Sequence, residues 1–279
     1  MPIVTFWSNN EKAIGQTVSA SVAATVMAIE HNSKVLLISA NFNDEMMEKC
    51  FGVQETNKEI IKTLIKKPQI NLDSGINGLL KLADSNRVTP DNIHDYTKII
   101  FKNRFEILYS PMNIYDDSSK AIVLEKLKNI IINASRYYDQ VIVDLAKGLR
   151  YQTQMEILNM SDVIVENIDQ GFSTIEQFMK MPEYQNIMNK IVWNICRHDK
   201  NSKYNSKNIT RNILKRQMVC ETPYNTLLLD AVQEGNVIEL LIRFKTVKDD
   251  NDNNALFIKE IKDLVQTILL KYQETQMRM

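Results

Sequence analysis

Residues 11–17 (EKAIGQT) have the frame of a phosphate-binding loop that opens a helix. In such a loop, glycine lets successive backbone N–H groups converge on phosphate oxygens at the helix start. A lysine neutralises the terminal phosphates, and a Ser/Thr hydroxyl ligates magnesium. Gly15 and Thr17 fill their positions, but Gln16 stands where the lysine belongs, and an amide carries no charge. Taken alone, the segment is equally consistent with an ordinary strand-to-helix turn.

The segments that must position this loop alternate between short β-branched runs and longer helical stretches. The predicted strands are residues 3–8, 34–39, 105–110, 140–145, 162–167, 190–195 and 217–222. Helices are predicted at residues 17–31, 118–137 and 254–272, from residue 174, and over much of residues 44–96. This alternation favours βαβ units. We therefore expect an α/β fold with a doubly wound, mostly parallel sheet flanked by helices. No Pro/Gly/Ser-rich linker divides the chain, so residues 1–279 are predicted to form one domain.

Composition and charge exclude several classes of protein. Lys and Arg (34) balance Asp and Glu (34), so the chain as a whole does not attract nucleic acid or anionic lipid. Cys50, Cys196 and Cys220 are too scattered for a disulfide framework or metal site, and they are predicted to be reduced, buried thiols. No apolar run approaches the roughly 20 residues that span a bilayer, and the first residues lack the basic segment of a signal peptide. We expect a cytoplasmic protein, with peripheral attachment to the inner face of the membrane left open.

The order of motifs along the chain resembles that of the MinD/ParA superfamily of deviant Walker ATPases. The segments that carry the resemblance are VTFWS…GQT, KVLLISAN, YDQVIVDLAKGL, SDVIVENIDQGFSTIEQF, KIVWNI and ETPYNTLLLDAVQEGNVIELL, which together cover about the whole chain. Each motif alone is weak, whereas their shared order and spacing are fairly specific. The resemblance implies a P-loop NTPase-like fold, a homodimer, and a site for ATP and Mg²⁺.

The resemblance also assigns roles to individual residues. The candidate nucleotide-binding residues are Lys12, Gly15, Gln16, Thr17, Val18, Asn194, Pro223 and Tyr224. Asp144 falls at the Walker B position and, with Thr17, is the candidate Mg²⁺ site. Asn194 closes a strand on the adenine side, although a strand-terminating polar residue would look the same, and Asp144 is equally the polar end of a buried strand.

Departures from the superfamily pattern concern the charges. The signature lysine falls at Glu11 and the Walker lysine at Gln16, while the acidic D-x-D positions become Ser39 and Asn41. Phosphoryl transfer depends on such electrostatic groups. The sequence therefore predicts a degenerate Walker A loop and negligible ATP hydrolysis. The alternative is a weak ATPase in which Lys12 replaces the missing lysine.

Two further patterns bear on partners. The segment GINGLLKLADSNRVTPDNIHDYT, followed by FEILYSP, resembles the pilus-assembly branch of the superfamily (TadZ/CpaE-like), which implies a localisation scaffold for protein components of a Tad/Flp pilus or secretion machine. Residues 197–216 are strongly basic, and Lys207, Arg211 and Lys215 recur at four-residue spacing, which predicts one helix face. That face is a candidate partner surface, and for a partition protein it would contact DNA; a solvated helix face is the plainer interpretation.

The last predicted helix has Phe257, Ile261 and Leu264 on one side. MinD-like proteins append an amphipathic membrane-targeting helix after the fold. Here the helix is predicted instead to dock against the sheet as the last element of the fold.

Overall fold

An eight-stranded sheet forms the centre of the molecule, in the strand order β3-β4-β2-β5-β1-β6-β7-β8. The computed structural model describes residues 2–9, 14–52, 75–146, 149, 151–245, 247 and 252–277. The strands are β1 (Ile3–Trp7), β2 (Val35–Ala40), β3 (Lys98–Phe101), β4 (Phe105–Leu108), β5 (Gln140–Leu145), β6 (Val163–Ile168), β7 (Ile191–His198) and β8 (Met218–Pro223). Every pairing is parallel except that of β3 with β4. The predicted α/β fold with a doubly wound, mostly parallel sheet is confirmed.

Helices cover both faces of this sheet. They are α1 (Gln16–Glu30), α2 (Met46–Phe51), α3 (Gly75–Asp84), α4 (Asp117–Ala134), α5 (Tyr151–Met160), α6 (Phe172–Lys180), α7 (Ser206–Asn212), α8 (Thr226–Glu234), α9 (Val237–Phe244) and α10 (Asn253–Gln276), with 3₁₀ turns at Ile93–Tyr96 and Pro182–Lys190. Every residue of β1, β2, β5 and β6 is buried. Such continuous burial is typical of parallel strands covered on both sides.

The two faces of the sheet hold separate apolar cores, as the two-residue period of a strand requires. Leu36 and Ile38 of β2 pack into the core beneath α4 and α5. Val35 and Leu37, the alternate residues, pack into the core beneath α1 and α10. Strand β2 therefore stabilises both layers of helices at once.

The final helix, α10, is part of the fold. Phe257, Ile261, Leu264, Val265 and Ile268 are each 0% exposed and lie in the core shared with α1. The prediction that this helix docks against the sheet is confirmed. No described helix combines the length and apolar character of a bilayer-spanning segment.

Two local predictions from sequence need correction. Strand β3 was not predicted; it is a short edge strand whose Ile99 is 60% exposed, so it lacks the apolar pattern of a buried strand. The prediction that Lys207, Arg211 and Lys215 share one helix face is wrong for Lys215, because α7 ends at Asn212. The chain turns there, since Leu214 is fully buried and leads directly toward β8.

The cysteines fit the expectation of reduced, buried thiols. Cys50, Cys196 and Cys220 are all buried and unpaired with one another. Burial raises the pKa of Cys50 to about 12 and that of Cys220 to about 11. Both thiols are therefore protonated and unreactive at neutral pH.

Candidate functional site

A cavity of about 570 Å³ lies at the edge of the sheet where the parallel strands end. Its described walls include the start of α1, the loop after β2, the end of β7 and the segment that joins β8 to α8. Strand β1 lies between β5 and β6 in the sheet. From β1 the chain continues to β2 on one side, whereas from β5 it continues to β6 on the other side, so the strand order reverses at this point. Open α/β sheets bind ligands at such a switch point, beyond the carboxyl ends of the strands.

The start of α1 forms the floor of this cavity. Gly15 adopts φ 92° and ψ 20°, a left-handed conformation that glycine reaches without strain, and its carbonyl accepts the hydrogen bond from Ser19 N at 2.9 Å. Among the described residues, no side chain caps the start of this helix. Its first N–H groups have no partner within the helix and carry the positive end of its dipole. Gly15, Gln16, Thr17 and Val18, all predicted site residues, line the cavity here.

The Gln16 side chain is fixed against the strand ends. Its Nε2 donates to Asp144 Oδ1 at 2.6 Å, to Leu145 O at 2.8 Å and to Phe6 O at 3.2 Å. The residue is only 3% exposed. Gln16 is therefore a buried, neutral donor to the carboxylate of Asp144.

Asp144 is fully buried and accepts hydrogen bonds from at least three neutral side chains. Besides Gln16, Thr17 Oγ1 donates to Oδ2 at 2.7 Å, and Asn41 Nδ2 donates to the same oxygen. Within the described residues, no three His, Cys, Asp or Glu side chains come together as a metal site. The predicted Mg²⁺ site at Thr17 and Asp144 stays a prediction.

Asn194 lies behind the cavity wall in a buried polar network. Its Nδ2 donates to Ser19 Oγ at 2.8 Å and to Asn167 Oδ1 at 2.9 Å, and its Oδ1 accepts from Thr222 Oγ1 at 2.9 Å. The residue is 0% exposed. These bonds tie α1 to β6, β7 and β8, so both ends of the Asn194 amide are occupied. The sequence-predicted contact with an adenine stays a prediction.

The remaining sequence-predicted residues fall in three places. Pro223 and Tyr224 line the cavity, and Tyr224 is 58% exposed at its mouth. Lys12 lies outside the described residues. The candidate partner residues, Lys207, Arg211 and Lys215, are exposed and do not line the cavity.

Sequence reasoning missed several charged residues of the cavity wall. Arg197 projects from the end of β7, and Lys120 lies on α4, where its Nζ is 3.6 Å from Asp117. Asp44 follows β2, and its Oδ1 accepts a hydrogen bond from Met46 N at 2.8 Å. The signals for Arg197 were its place two residues after the predicted strand 190–195 and at the start of the basic segment 197–216. No pattern in the sequence marked Lys120 or Asp44, since topology alone brings them here.

Known structures share this fold. A ParA family ATPase from Chlorobium tepidum superposes with a TM-score of 0.69 at 16% identity, covering 95% of this chain and 98% of that one. A plasmid partition protein from Borrelia burgdorferi, bound to AMPPNP, gives 0.63 at 20% identity over 97% and 98% of the chains. The septum site-determining protein MinD from Pyrococcus horikoshii, complexed with Mg-ADP, gives 0.63 at 14% identity over 97% and 98%.

The fold is therefore that of the ParA/MinD P-loop ATPases, as the sequence resemblance implied. Neither a protein-family model nor a curated protein matches the sequence.

Proposed function

We propose that this protein is a nucleotide-binding positioning protein of the ParA/MinD type that does not hydrolyse ATP. The observation that carries the proposal is the pairing of Gln16 with Asp144 at 2.6 Å. It keeps the frame of the phosphate-binding loop in place while removing the charge that phosphoryl transfer uses.

Nucleotide binding is supported by the form of the cavity. Its volume of about 570 Å³ is within the ordinary range for a small-molecule site. The uncapped start of α1 offers backbone N–H groups to phosphate oxygens. Two similar structures hold AMPPNP and Mg-ADP, which supports the same ligand class in this chain.

Loss of hydrolysis is supported by the state of the catalytic positions. Asp144 already accepts three hydrogen bonds, and Ser39 bonds Ser110 Oγ at 2.7 Å instead of supplying a carboxylate. Asn41 supplies no carboxylate either, and its amide donates a hydrogen bond to Asp144. Without these groups and the lysine, the attacking water and the developing charge lack stabilisation.

The biological role that we propose is a scaffold, acting as a homodimer, that positions a pilus or secretion machine. The pilus-type segment at residues 75–97 and 105–111 supports this role by resemblance. The exposed side chains of Tyr115, Tyr224 and Leu229, at 73%, 58% and 49%, surround the cavity and give a second copy an apolar surface. Light scattering with and without ATP tests the dimer.

A second candidate is a DNA-associated partition protein. The exposed cations Lys207, Arg211 and Lys215 favour it, and so does the likeness to a plasmid partition protein. DNA binding whose affinity falls steeply with added salt, and that is lost in the triple alanine variant, would support this candidate over the scaffold.

Paired assays of binding and turnover test the main proposal. A fluorescent ATP analogue should bind the purified protein, while phosphate release from ATP should not rise above the protein-free control. Binding without turnover supports a non-hydrolysing nucleotide site. Sustained phosphate release that persists through purification and is abolished in Lys12→Ala would establish the weak ATPase and overturn the proposal.

A further inference from the structure

We propose that Arg197 supplies the positive charge that binds phosphate in this cavity, in place of the lysine that the loop lacks at Gln16. The ligand class is a nucleoside di- or triphosphate. The inference rests on the proposed function, because both place phosphate groups at the start of α1.

Arg197 is directed out of its strand by a local irregularity. The pairing of β7 with β8 shifts register between Cys196 and His198, so Arg197 forms a bulge. It is the only exposed residue of β7. Its φ of 53° is left-handed, a conformation that is unfavourable for a non-glycine residue. Bulges of this kind redirect side chains near ligand sites.

The redirected side chain lies against the phosphate-binding loop. A Cβ added to Gly15 would stand 3.8 Å from Arg197 Nε. Both residues line the same cavity. The guanidinium group is thus held beside the start of α1, where the helix dipole also favours an anion.

The charge on Arg197 is available to a ligand. No carboxylate of the described residues forms an ion pair with it, whereas Lys120 on the cavity wall lies 3.6 Å from Asp117. Arginine stays charged at all physiological pH values and binds phosphate oxygens through two parallel N–H groups.

Gln16 gives a second sign that the site is incomplete. Its Nε2 is fixed by three acceptors, which sets the orientation of the amide. Its Oε1 is buried and has no hydrogen-bond partner among the described residues, although Gln16 lines the cavity. A buried acceptor without a partner is unfavourable, so a ligand or its bound water that donates there would be favoured.

Calorimetric titration of Arg197 variants with ATP, ADP and adenosine tests the inference. Arg197→Ala should weaken ATP and ADP binding at least tenfold, Arg197→Lys should retain part of the affinity, and adenosine binding should stay unchanged. Arg197→Gly is the second variant, since glycine adopts φ 53° readily and preserves the fold if alanine does not. Lys120→Ala is the matched control, a wall cation beside Asp117, and should weaken ATP less than threefold.

The outcomes separate the two proposals. If the wild-type protein binds no ATP, the proposed function fails and the role of Arg197 fails with it. If the wild type binds ATP and Arg197→Gly binds it equally well, the role of Arg197 is overturned while the proposed function stands. If Arg197→Gly binds ATP more tightly, Arg197 obstructs the cavity rather than serving it, and the inference is again overturned.

Discussion

At the scale of single residues, the buried carboxylate of Asp144 determines how the loop is held. A carboxyl group at 0% exposure is costly to bury unless hydrogen bonds replace its lost water. Gln16, Thr17 and Asn41 supply those bonds. The glutamine therefore has a structural role that explains its presence independently of any nucleotide.

Replacing Gln16 by methionine tests this structural role. The substitution keeps the length of the side chain but removes a donor to a buried carboxylate, and it should lower the free energy of unfolding by about 1–3 kcal/mol. Urea denaturation measures the change. Gln273→Met on the exposed side of α10 is the control and should stay within about 0.5 kcal/mol. Equal stability of the two variants would contradict the role assigned to Gln16.

Replacing Gln16 by lysine tests the separation of binding from hydrolysis. An ammonium group at the loop should tighten ATP binding at least tenfold, about 1.4 kcal/mol. Phosphate release should stay at background, since Ser39 and Asn41 still lack carboxylates. Calorimetry and a phosphate-release assay measure the two effects. Turnover restored by this single change would show that the other lost charges are not required.

The site residues that the sequence predicted most directly are adjacent to one another in the chain. Gly15, Gln16 and Thr17 follow one another, and their frame could be recognised directly. The prediction that Asn194 closes a strand is wrong, because β7 continues to His198, and the buried network around Asn194 joins three distant segments. Arg197 depends on a bulge, and no residue pattern announces a bulge of this kind.

At the scale of elements, α2 and α8 meet backbone to backbone at two glycines. Gly52 follows α2, and Gly235 ends α8 at φ 75°. A Cβ on Gly235 would stand 2.6 Å from Gly52 Cα and 3.0 Å from Gly52 N. Helix α8 also lines the candidate site, through Leu228, so this contact helps to fix the cavity wall.

Gly235→Ala should therefore be strongly destabilising. A left-handed alanine costs about 1–2 kcal/mol, and the clash with Gly52 adds about 1–3 kcal/mol of overpacking. Gly75→Ala is the control, because Gly75 has φ 63° but no described atom within 4 Å of its Cβ position. In chemical denaturation, Gly75→Ala should lose only the about 1–2 kcal/mol that a left-handed alanine costs. Similar losses in both variants would mean that the glycine contact is not tight.

Buried strands and long helices were the elements best predicted from sequence. Strand β5 matches its predicted range, residues 140–145, because a continuous run of β-branched residues marks a buried parallel strand. The edge strand β3 carries no such run. The end of α7 was not predicted, because the four-residue spacing of the basic residues suggested a longer helix, whereas Leu214 is buried just after the helix ends.

At the scale of the whole molecule, the site exists only when the sheet is complete. Gln16 and Asp144 are separated by 128 residues, and Asn194 and Ser19 by 175. Contacts of this range form only after several strands have paired. Loss of stability anywhere in the sheet should therefore disturb the cavity before secondary structure is lost.

Shortening the buried side chain of Ile261 tests how much α10 contributes to the stability of the fold. Ile261 is 0% exposed between α10 and the core beneath α1, so Ile261→Ala should cost about 2–5 kcal/mol. Leu270→Ala, at 45% exposure on the same helix, is the matched control and should cost less than about 1 kcal/mol. Thermal and urea unfolding give both values. A small effect of Ile261→Ala would show that α10 does not unfold cooperatively with the rest of the protein.

The central claim is that the cavity binds nucleotide without turning it over. Calorimetric titration of the purified wild-type protein with ATP and ADP, with and without Mg²⁺, tests it most directly. We predict a dissociation constant tighter than roughly 100 μM, about 5.5 kcal/mol, that persists without Mg²⁺ because backbone N–H groups at the start of α1 bind the phosphates directly. Absence of binding heat under every condition would contradict the claim and leave a scaffold that acts without nucleotide.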